Sequence, residues 1–138
     1  MKWYFAHPET DKVYARAIAS SIRLSTHIET FNPFYDGKIR NPYKNDEPKD
    51  KEFCEGIMEQ DLLEMSKCDG LFAILNEPSS GVAIEIYFAS KILHIPVILC
   101  SENPKILNHV WLSALATSVV SSFDQLLEKL KEYQSRCQ

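Results

Sequence analysis

The chain alternates short apolar segments with segments of helical periodicity, and this alternation constrains its fold more than any other feature. Apolar segments with the length and composition of strands lie at 3–6, 28–31, 70–75, 95–100 and 117–120. Apolar residues recur every three or four positions over 10–24, 53–65, 81–93 and 123–133, which predicts helices there. Strands that are apolar nearly throughout are buried on both faces. The order therefore predicts an α/β fold, with a parallel sheet between two layers of helices.

Length and charge narrow the class of protein further. A chain of 138 residues suits a single domain, expected here over 1–138. The net charge is -4 and the basic residues are scattered, so neither a nucleic acid nor an anionic membrane is the expected partner. No apolar run approaches the ~20 residues of a membrane span, and the N-terminal segment lacks the pattern of a signal peptide. We expect a cytoplasmic protein.

The cysteines and histidines give no sign of a metal site. No two of the four cysteines form a C-x-x-C pair, and no histidine lies at zinc-ligand spacing from them. Cys68 and Cys100 border predicted strands, and we expect both to be buried thiols. The sequence predicts neither a metal nor another cofactor.

Polar segments follow the first three predicted strands. They are His7-Pro8, the loop 32–50 and the segment 76–81. In open parallel sheets, ligands bind beyond the carboxyl ends of the strands, where the strand order reverses. A loop as long as 32–50 is more often functional than idle in a small domain. We therefore expect a ligand site at this edge of the sheet.

Glu85 is an isolated carboxylate within the apolar run 81–89, early in the helix that follows Ser79-Ser80-Gly81. Burial of an unpaired carboxylate costs several kcal/mol, so its presence in such a run needs a reason. Near the N–H groups of a helix start, a carboxylate can be held ionised and aimed at a ligand. The alternative is a glutamate on the solvent-facing stripe of an amphipathic helix.

Four further residues each allow a structural and a functional interpretation. Asp61 lies on the helix before the central strand, among other acidic residues, and either belongs to a solvated acidic face or is a second carboxylate of the site. Tyr4 is either a core aromatic or a phenol that donates to Glu85. Ser79 and Ser80 either cap the helix or bind an anion or sugar hydroxyls. Neither a phosphate-binding glycine fingerprint nor a nucleophilic-serine elbow is present.

Taken in order, these segments resemble the nucleoside 2-deoxyribosyltransferase family. The resemblance rests on Tyr4-Phe5-Ala6 at the end of the first strand, on Gln60-Asp61-Leu62, and on the segments 68–75 and 79–89. It spans most of the chain and is strongest from Asp61 to Ala89. It implies a flavodoxin-like, or Rossmann-like, three-layer sandwich with a central parallel sheet of five strands.

The resemblance also implies roles for the residues singled out above. Glu85 would attack the anomeric carbon of a nucleoside and form a glycosyl-enzyme ester, as in retaining glycoside hydrolysis. Tyr4 would orient Glu85, and Asp61 would contact the sugar or protonate the leaving base. The implied substrate-binding residues are Ala6, His7, Phe34, Tyr35, Asp36, Ser79, Gly81 and, from a neighbouring subunit, Asn108. The implied partners are a nucleoside or nucleotide, a free nucleobase as acceptor, and a second copy of the chain in a dimer or dimer-based oligomer.

The expected activity is transfer of the deoxyribosyl group from one nucleobase to another, with two alternatives. The family includes 2′-deoxynucleoside 5′-phosphate hydrolases, which grip the phosphate with Ser and Arg after the first strand, where this chain has His7-Pro8-Glu9-Thr10. Asn108 also matches the transferases, whereas Ser79 matches a phosphate-contacting serine of the hydrolases and replaces an Asp common in the transferases. Hydrolysis of a nucleoside or its 5′-monophosphate is therefore the first alternative. A non-catalytic nucleotide-binding module on the same fold is the second.

Overall fold

The computed structural model describes residues 1–44 and 46–136, and a parallel sheet lies at its centre. Within the described residues, its strands are β1 (Lys2–Ala6), β2 (Glu29–Phe31), β3 (Gly70–Ile74), β4 (Val97–Cys100) and β5 (Ser118–Val120). They are hydrogen-bonded in the order β2-β1-β3-β4-β5, and every pair is parallel. This is the flavodoxin-like order. The predicted α/β fold is confirmed, including the five-stranded sheet.

Helices connect the strands and cover both faces of the sheet. They are α1 (Lys12–Thr26), α2 (Lys51–Ser66), α3 (Ser80–Tyr87), α4 (Pro104–Leu107), α5 (Val110–Leu115) and α6 (Phe123–Arg136). A 3-10 turn at Glu9–Asp11 precedes α1, and a π-helical turn at Phe88–Ile92 continues α3. The four predicted helices are all present, with ends that differ by a few residues. In the described part of the chain, none of the helices has the length and apolar character needed to cross a membrane.

Side chains that alternate along β1 divide the core in two. Trp3 and Phe5 face α1 and α6, whereas Tyr4 and Ala6 face α2, α3 and α5. The stacked rings of Phe5 and Phe72, whose centroids are 4.6 Å apart, tie β1 to β3 on the first of these faces. Cys68 and Cys100 are buried free thiols, as expected.

The apolar stripes of two helices differ from the sequence-based expectation. In α1 the stripe that faces the sheet runs through Ala15, Ile18 and Ile22, so Val13 falls off it and is 74% exposed. In α2 the side chain of Met58 is also exposed, and only the last turn of the helix reaches the core. Periodicity identified both helices. It misplaced their inner faces, because the face that packs depends on where the helix sits on the sheet.

The strand order fixes the place of the site. β1 lies between β2 and β3, so the chain reverses its direction of travel across the sheet at β1. Because the strands are parallel, the segments that follow β1, β2 and β3 all begin at one edge of the sheet, as expected. Helix α3 begins above the point of reversal.

Candidate active site

Tyr4 and Glu85 meet at the carboxyl edge of the sheet. Tyr4 is fully buried in β1, and its hydroxyl donates a hydrogen bond to Oε2 of Glu85 on α3. The backbone at Ser79 is extended, and its hydroxyl accepts from the amide of Val82 at 3.4 Å, which fixes where α3 begins. The solvent-facing positions of α3 include Ile84 and Tyr87, whereas Glu85 turns towards the sheet. The structure thus brings together two predicted site residues that are far apart in sequence.

The Glu85 carboxyl group resists ionisation. Burial is the main cause and raises its pKa from 4.5 to about 8. The hydrogen bond from Tyr4 lowers the pKa of Glu85, because it stabilises the ionised form. The negative charge of Asp61 raises this pKa further. The pKa of the Tyr4 phenol is also raised, by burial and then by the charges of Glu85 and Asp61. Tyr4 is therefore a permanent hydrogen-bond donor at physiological pH.

Asp61 faces inwards rather than into solvent. Its neighbours Glu55 and Glu59 on α2 are exposed, but Oδ1 of Asp61 is buried and has no hydrogen-bond partner among the described residues. Burial raises its pKa from 3.8 to about 6. A buried oxygen without a partner costs roughly 1–3 kcal/mol, which a ligand hydroxyl or a bound proton would offset. Interpretation of Asp61 as part of a solvated acidic face is wrong.

The first turn of α3 has open space at Gly81. Gly81 is exposed, its φ is not positive, and a Cβ atom placed there would meet no atom within 4 Å. Neither backbone conformation nor packing within the chain requires glycine at this position. Gly81 and Glu85 are four residues apart on one helix and share a face, so the open space lies one turn from the carboxylate.

The predicted base-binding residues after β2 are engaged elsewhere. The Tyr35 hydroxyl donates to the carbonyl oxygen of Lys12 at 2.7 Å, and its ring lies 4.1 Å from the guanidinium of Arg16. Asp36 accepts a hydrogen bond from the amide of Asn32 at 2.8 Å and closes a turn. Tyr35 and Asp36 thereby fasten the loop to α1 and to the end of β2. The described contacts place neither beside Glu85.

The side chains at the end of β1 separate to opposite faces. Ala6 shares the face of Tyr4. The ring of His7 lies between Phe5 and Phe34, with both centroid distances 4.8 Å, and is only 3% exposed. Burial lowers its pKa, so the imidazole is neutral, and Nδ1 donates to the carbonyl oxygen of Pro8 at 2.8 Å. The imidazole therefore does not face the Glu85 side of the sheet, and Phe34 covers it.

Asn108 stands outside the Tyr4–Glu85 cluster within one chain. It is exposed at the end of α4, where its Nδ2 donates to the carbonyl oxygen of Pro104 at 2.9 Å. A groove of about 970 Å³ separates α3 from α4 and α5, and Ser79, Ile84 and Trp111 are among the residues that line it. Contribution of Asn108 to a neighbouring subunit's site stays a prediction.

One positioning contact was not foreseen. The side-chain amide of Gln60 accepts from the backbone N–H of Ile39 at 2.7 Å and donates to the carbonyl of the same residue at 2.9 Å. These two hydrogen bonds to one residue hold the loop after β2 against α2, next to Asp61. No local pattern could have revealed it, because the two residues belong to different segments. Among the described residues, no cluster of three or more His, Cys, Asp or Glu side chains could hold a metal ion.

The fold and the carboxylate pair define the class: a flavodoxin-like α/β protein with an acidic site at its topological switch point. A solved structure with this fold is a 2-deoxyribosyltransferase from the psychrotolerant bacterium Bacillus psychrosaccharolyticus. It superimposes with a TM-score of 0.70 over 94% of this chain and 96% of that chain, at 20% sequence identity. At that identity the likeness shows the fold alone. No family model matches the chain, and no curated protein matches it.

Proposed function

We propose that this protein is a nucleoside 2-deoxyribosyltransferase, which moves the deoxyribosyl group of a nucleoside to another nucleobase through an ester on Glu85. The observation that carries the proposal is the hydrogen-bonded Tyr4–Glu85 pair with the buried, unpartnered oxygen of Asp61 close enough to raise the pKa of Glu85. Two carboxyl groups with different environments suit a nucleophile and an acid. The solved structure of like fold is itself a 2-deoxyribosyltransferase, which supports the substrate class.

The first step of the proposed reaction forms the ester. Tyr4 holds Oε2 of Glu85, which leaves Oε1 to attack the anomeric carbon of the sugar. The bond from that carbon to the base nitrogen breaks, and its electron pair leaves with the base. Asp61 donates the proton that the departing base takes up. We expect the sugar to approach the carboxylate from the open space at Gly81, one helical turn away.

The second step releases the sugar to an acceptor. A nitrogen of the incoming base attacks the anomeric carbon, the ester bond breaks, and its electron pair returns to Glu85. Asp61 takes the proton from the incoming base and is ready for the next turnover. Two displacements at one carbon restore the original configuration, so the product nucleoside is the same anomer as the substrate. Water in place of the acceptor base would release free sugar.

Three properties of the molecule complete the proposal. Residues 1–138 form one domain, and the protein works in the reducing cytoplasm, a setting that suits the free thiols of Cys68 and Cys100. The protein is a homodimer whose interface includes the outer faces of α3 and α5. The exposed apolar side chains of Ile84 and Trp111, which line one groove next to Asn108, support that interface.

A panel of nucleosides and 5′-monophosphates, each incubated with and without a second base, tests the activity. Chromatography should show a new nucleoside only when the acceptor is present. Without an acceptor, intact mass should show a deoxyribosyl adduct, which Glu85→Ala removes together with all turnover. Glu128→Ala is the control, because Glu128 is an exposed carboxylate on α6 that lines neither groove.

Each other outcome contradicts a specific part of the proposal. Free base and free sugar as the sole products would make the protein a hydrolase. Full base release by Glu85→Ala would overturn the assignment of the nucleophile. Binding of nucleosides without any reaction would identify a binding module.

A further inference from the structure

A second groove, of about 1070 Å³, runs along the outer side of β2, and we call it the β2 groove. Its floor includes Glu29–Phe31, one wall is α1, and the other consists of residues 35–40 and α2. Neither Tyr4, Asp61 nor Glu85 lines it. The groove is therefore separate from the proposed active site.

The floor of the β2 groove is the edge of the sheet, since no described strand pairs with the outer side of β2. The amide of Glu29 donates to the carbonyl oxygen of Met1 at 3.1 Å, towards β1. Because successive residues of a strand point their backbone groups in opposite directions, the N–H and C=O of Thr30 face the groove. The amides on either side are occupied: Ile28 donates to Thr26, and Asn32 donates to Asp36. Thr30 is thus the position where another strand can pair.

The walls of the β2 groove carry a concentration of positive charge on a chain whose net charge is -4. The basic lining residues are Arg16 and Arg23 on α1, Lys38 and Arg40 in the loop, and Lys2 and Lys67 at one end. Of the acidic residues in the lining, Glu64 pairs with Lys2 and Lys67, at 3.7 and 3.2 Å, and Asp36 accepts a backbone hydrogen bond. Six basic residues thus face three acidic ones in the lining, so the groove carries a net positive charge.

We propose that the β2 groove binds an acidic peptide segment in extended conformation, which adds to the sheet as a strand beside Thr30. An extended strand sends alternate side chains to opposite faces, so acidic residues on both faces would meet Arg23 on one wall and Lys38 on the other. A second copy of β2 would bring the same basic walls together, and their repulsion disfavours self-pairing. A small anion would use the basic side chains but leave the backbone groups of Thr30 without a partner.

Fluorescence anisotropy with a labelled hexapeptide of glutamate and valine, acidic on both faces, tests the proposal. The peptide should bind, and its affinity should fall as salt is added. The same peptide with alternate backbone nitrogens methylated, on the edge that would pair, should lose binding, because it cannot donate to Thr30. Hydrogen exchange of the Thr30 amide should slow on binding.

Charge variants give a graded readout. Arg23→Glu and Lys38→Glu should each weaken binding at least about tenfold, whereas Glu29→Gln should strengthen it. The control Lys131→Glu removes an exposed lysine on α6 that does not line the groove, and should leave binding unchanged. Glycosyl transfer should be normal in Arg23→Glu, so the two proposals fail independently.

Three results would overturn the docking proposal. Equal binding of the methylated peptide, or full displacement of the peptide by tripolyphosphate at equal charge, would make the groove an anion site. If no peptide bound, the basic residues would instead serve to prevent other chains from pairing with the exposed edge of the sheet.

Discussion

At the scale of single residues, the proposed nucleophile of the site binds a proton more tightly than the proposed acid does. Glu85 must be ionised to attack, yet burial raises its pKa to about 8, whereas Asp61, the proposed acid, has a pKa of about 6. Between these pH values the pair holds one proton, which lies on Glu85 in most molecules. The reactive arrangement, with the proton on Asp61, is the minor one, and the hydrogen bond from Tyr4 favours it.

This arrangement predicts a bell-shaped dependence of kcat/KM on pH. Activity should require one proton on the pair, so it should rise near pH 6 and fall near pH 8. Tyr4→Phe should move the upper limit to higher pH, because loss of the hydrogen bond raises the pKa of Glu85 further. It should also lower kcat, because the reactive arrangement becomes rarer. A Tyr4→Phe profile that differs only in height would argue against this account of Tyr4.

The same pKa values predict how the stability of the protein depends on pH. The pKa of Glu85 rises from 4.5 in the unfolded chain to about 8 in the folded one. The folded state therefore favours the protonated form. The stability this provides is complete below about pH 4.5 and is lost as the pH rises to 8. Glu85→Gln cannot ionise, so its free energy of unfolding should exceed that of the wild type by a few kcal/mol at pH 8, and by much less at pH 5.

Urea unfolding at the two pH values measures this difference. Glu77→Gln, in an exposed position, is the control and should behave as the wild type at both. An equal effect of Glu85→Gln at pH 5 and pH 8 would mean that the Glu85 carboxyl group does not titrate in this range.

At the scale of elements, periodicity predicted what local sequence determines and missed what assembly determines. The strands and the long helices follow from runs of apolar residues, which the chain carries locally. Helices α4 and α5 have 4 and 6 residues, too few for a periodic pattern, and were missed. The burial of Asp61 could not be decided from its own segment, for another reason. It depends on which face of α2 turns to the sheet, and the acidic neighbours of Asp61 gave no sign of it.

The contact between Tyr4 and Glu85 shows the same limit on a larger scale. Each residue was singled out from its own segment, but 81 positions separate them, and no spacing rule joins a strand to a helix so distant. Donation from Tyr4 to Glu85 was one of two interpretations of Tyr4, and the resemblance favoured it before the sheet was known. Tyr35 shows the converse limit: an aromatic residue in a long loop was expected at the ligand, and the contact that the structure gives its hydroxyl is with Lys12 on α1.

The bond between Gln60 and Ile39 predicts that α2 controls the position of the loop after β2. Gln60→Ala removes two hydrogen bonds, each worth about 1 kcal/mol, and should free the segment 37–40. Hydrogen exchange at the Ile39 amide should accelerate, because the two bonds that hold this residue are lost. Gln60→Glu, which keeps the bond from the Ile39 amide, should recover most of the exchange protection. Unchanged exchange in Gln60→Ala would show that other contacts hold the loop.

At the scale of the whole molecule, α3 faces two ways. It turns Glu85 towards the sheet, while Ile84 and Trp111, across the groove on α5, are 66% and 67% exposed. Apolar side chains of this size beside one another favour contact with another protein surface. A second copy placed there would bring Asn108 of the partner subunit towards a site that lacks it within one chain. The proposed dimer would thus serve catalysis as well as stability.

A dimer through this face predicts complementation between two inactive variants. Glu85→Ala and Asn108→Ala should each lack activity alone. After the two are unfolded and refolded together, mixed dimers contain one site with both residues intact, so activity should return to about a quarter of the wild-type value.

Trp111→Glu should give monomers in analytical ultracentrifugation, because it buries a charge in an apolar interface, and Val13→Glu, at an exposed position on α1, is its control. A dimeric Trp111→Glu variant would place the interface elsewhere. If the refolded mixture stayed inactive, each chain would carry a complete site.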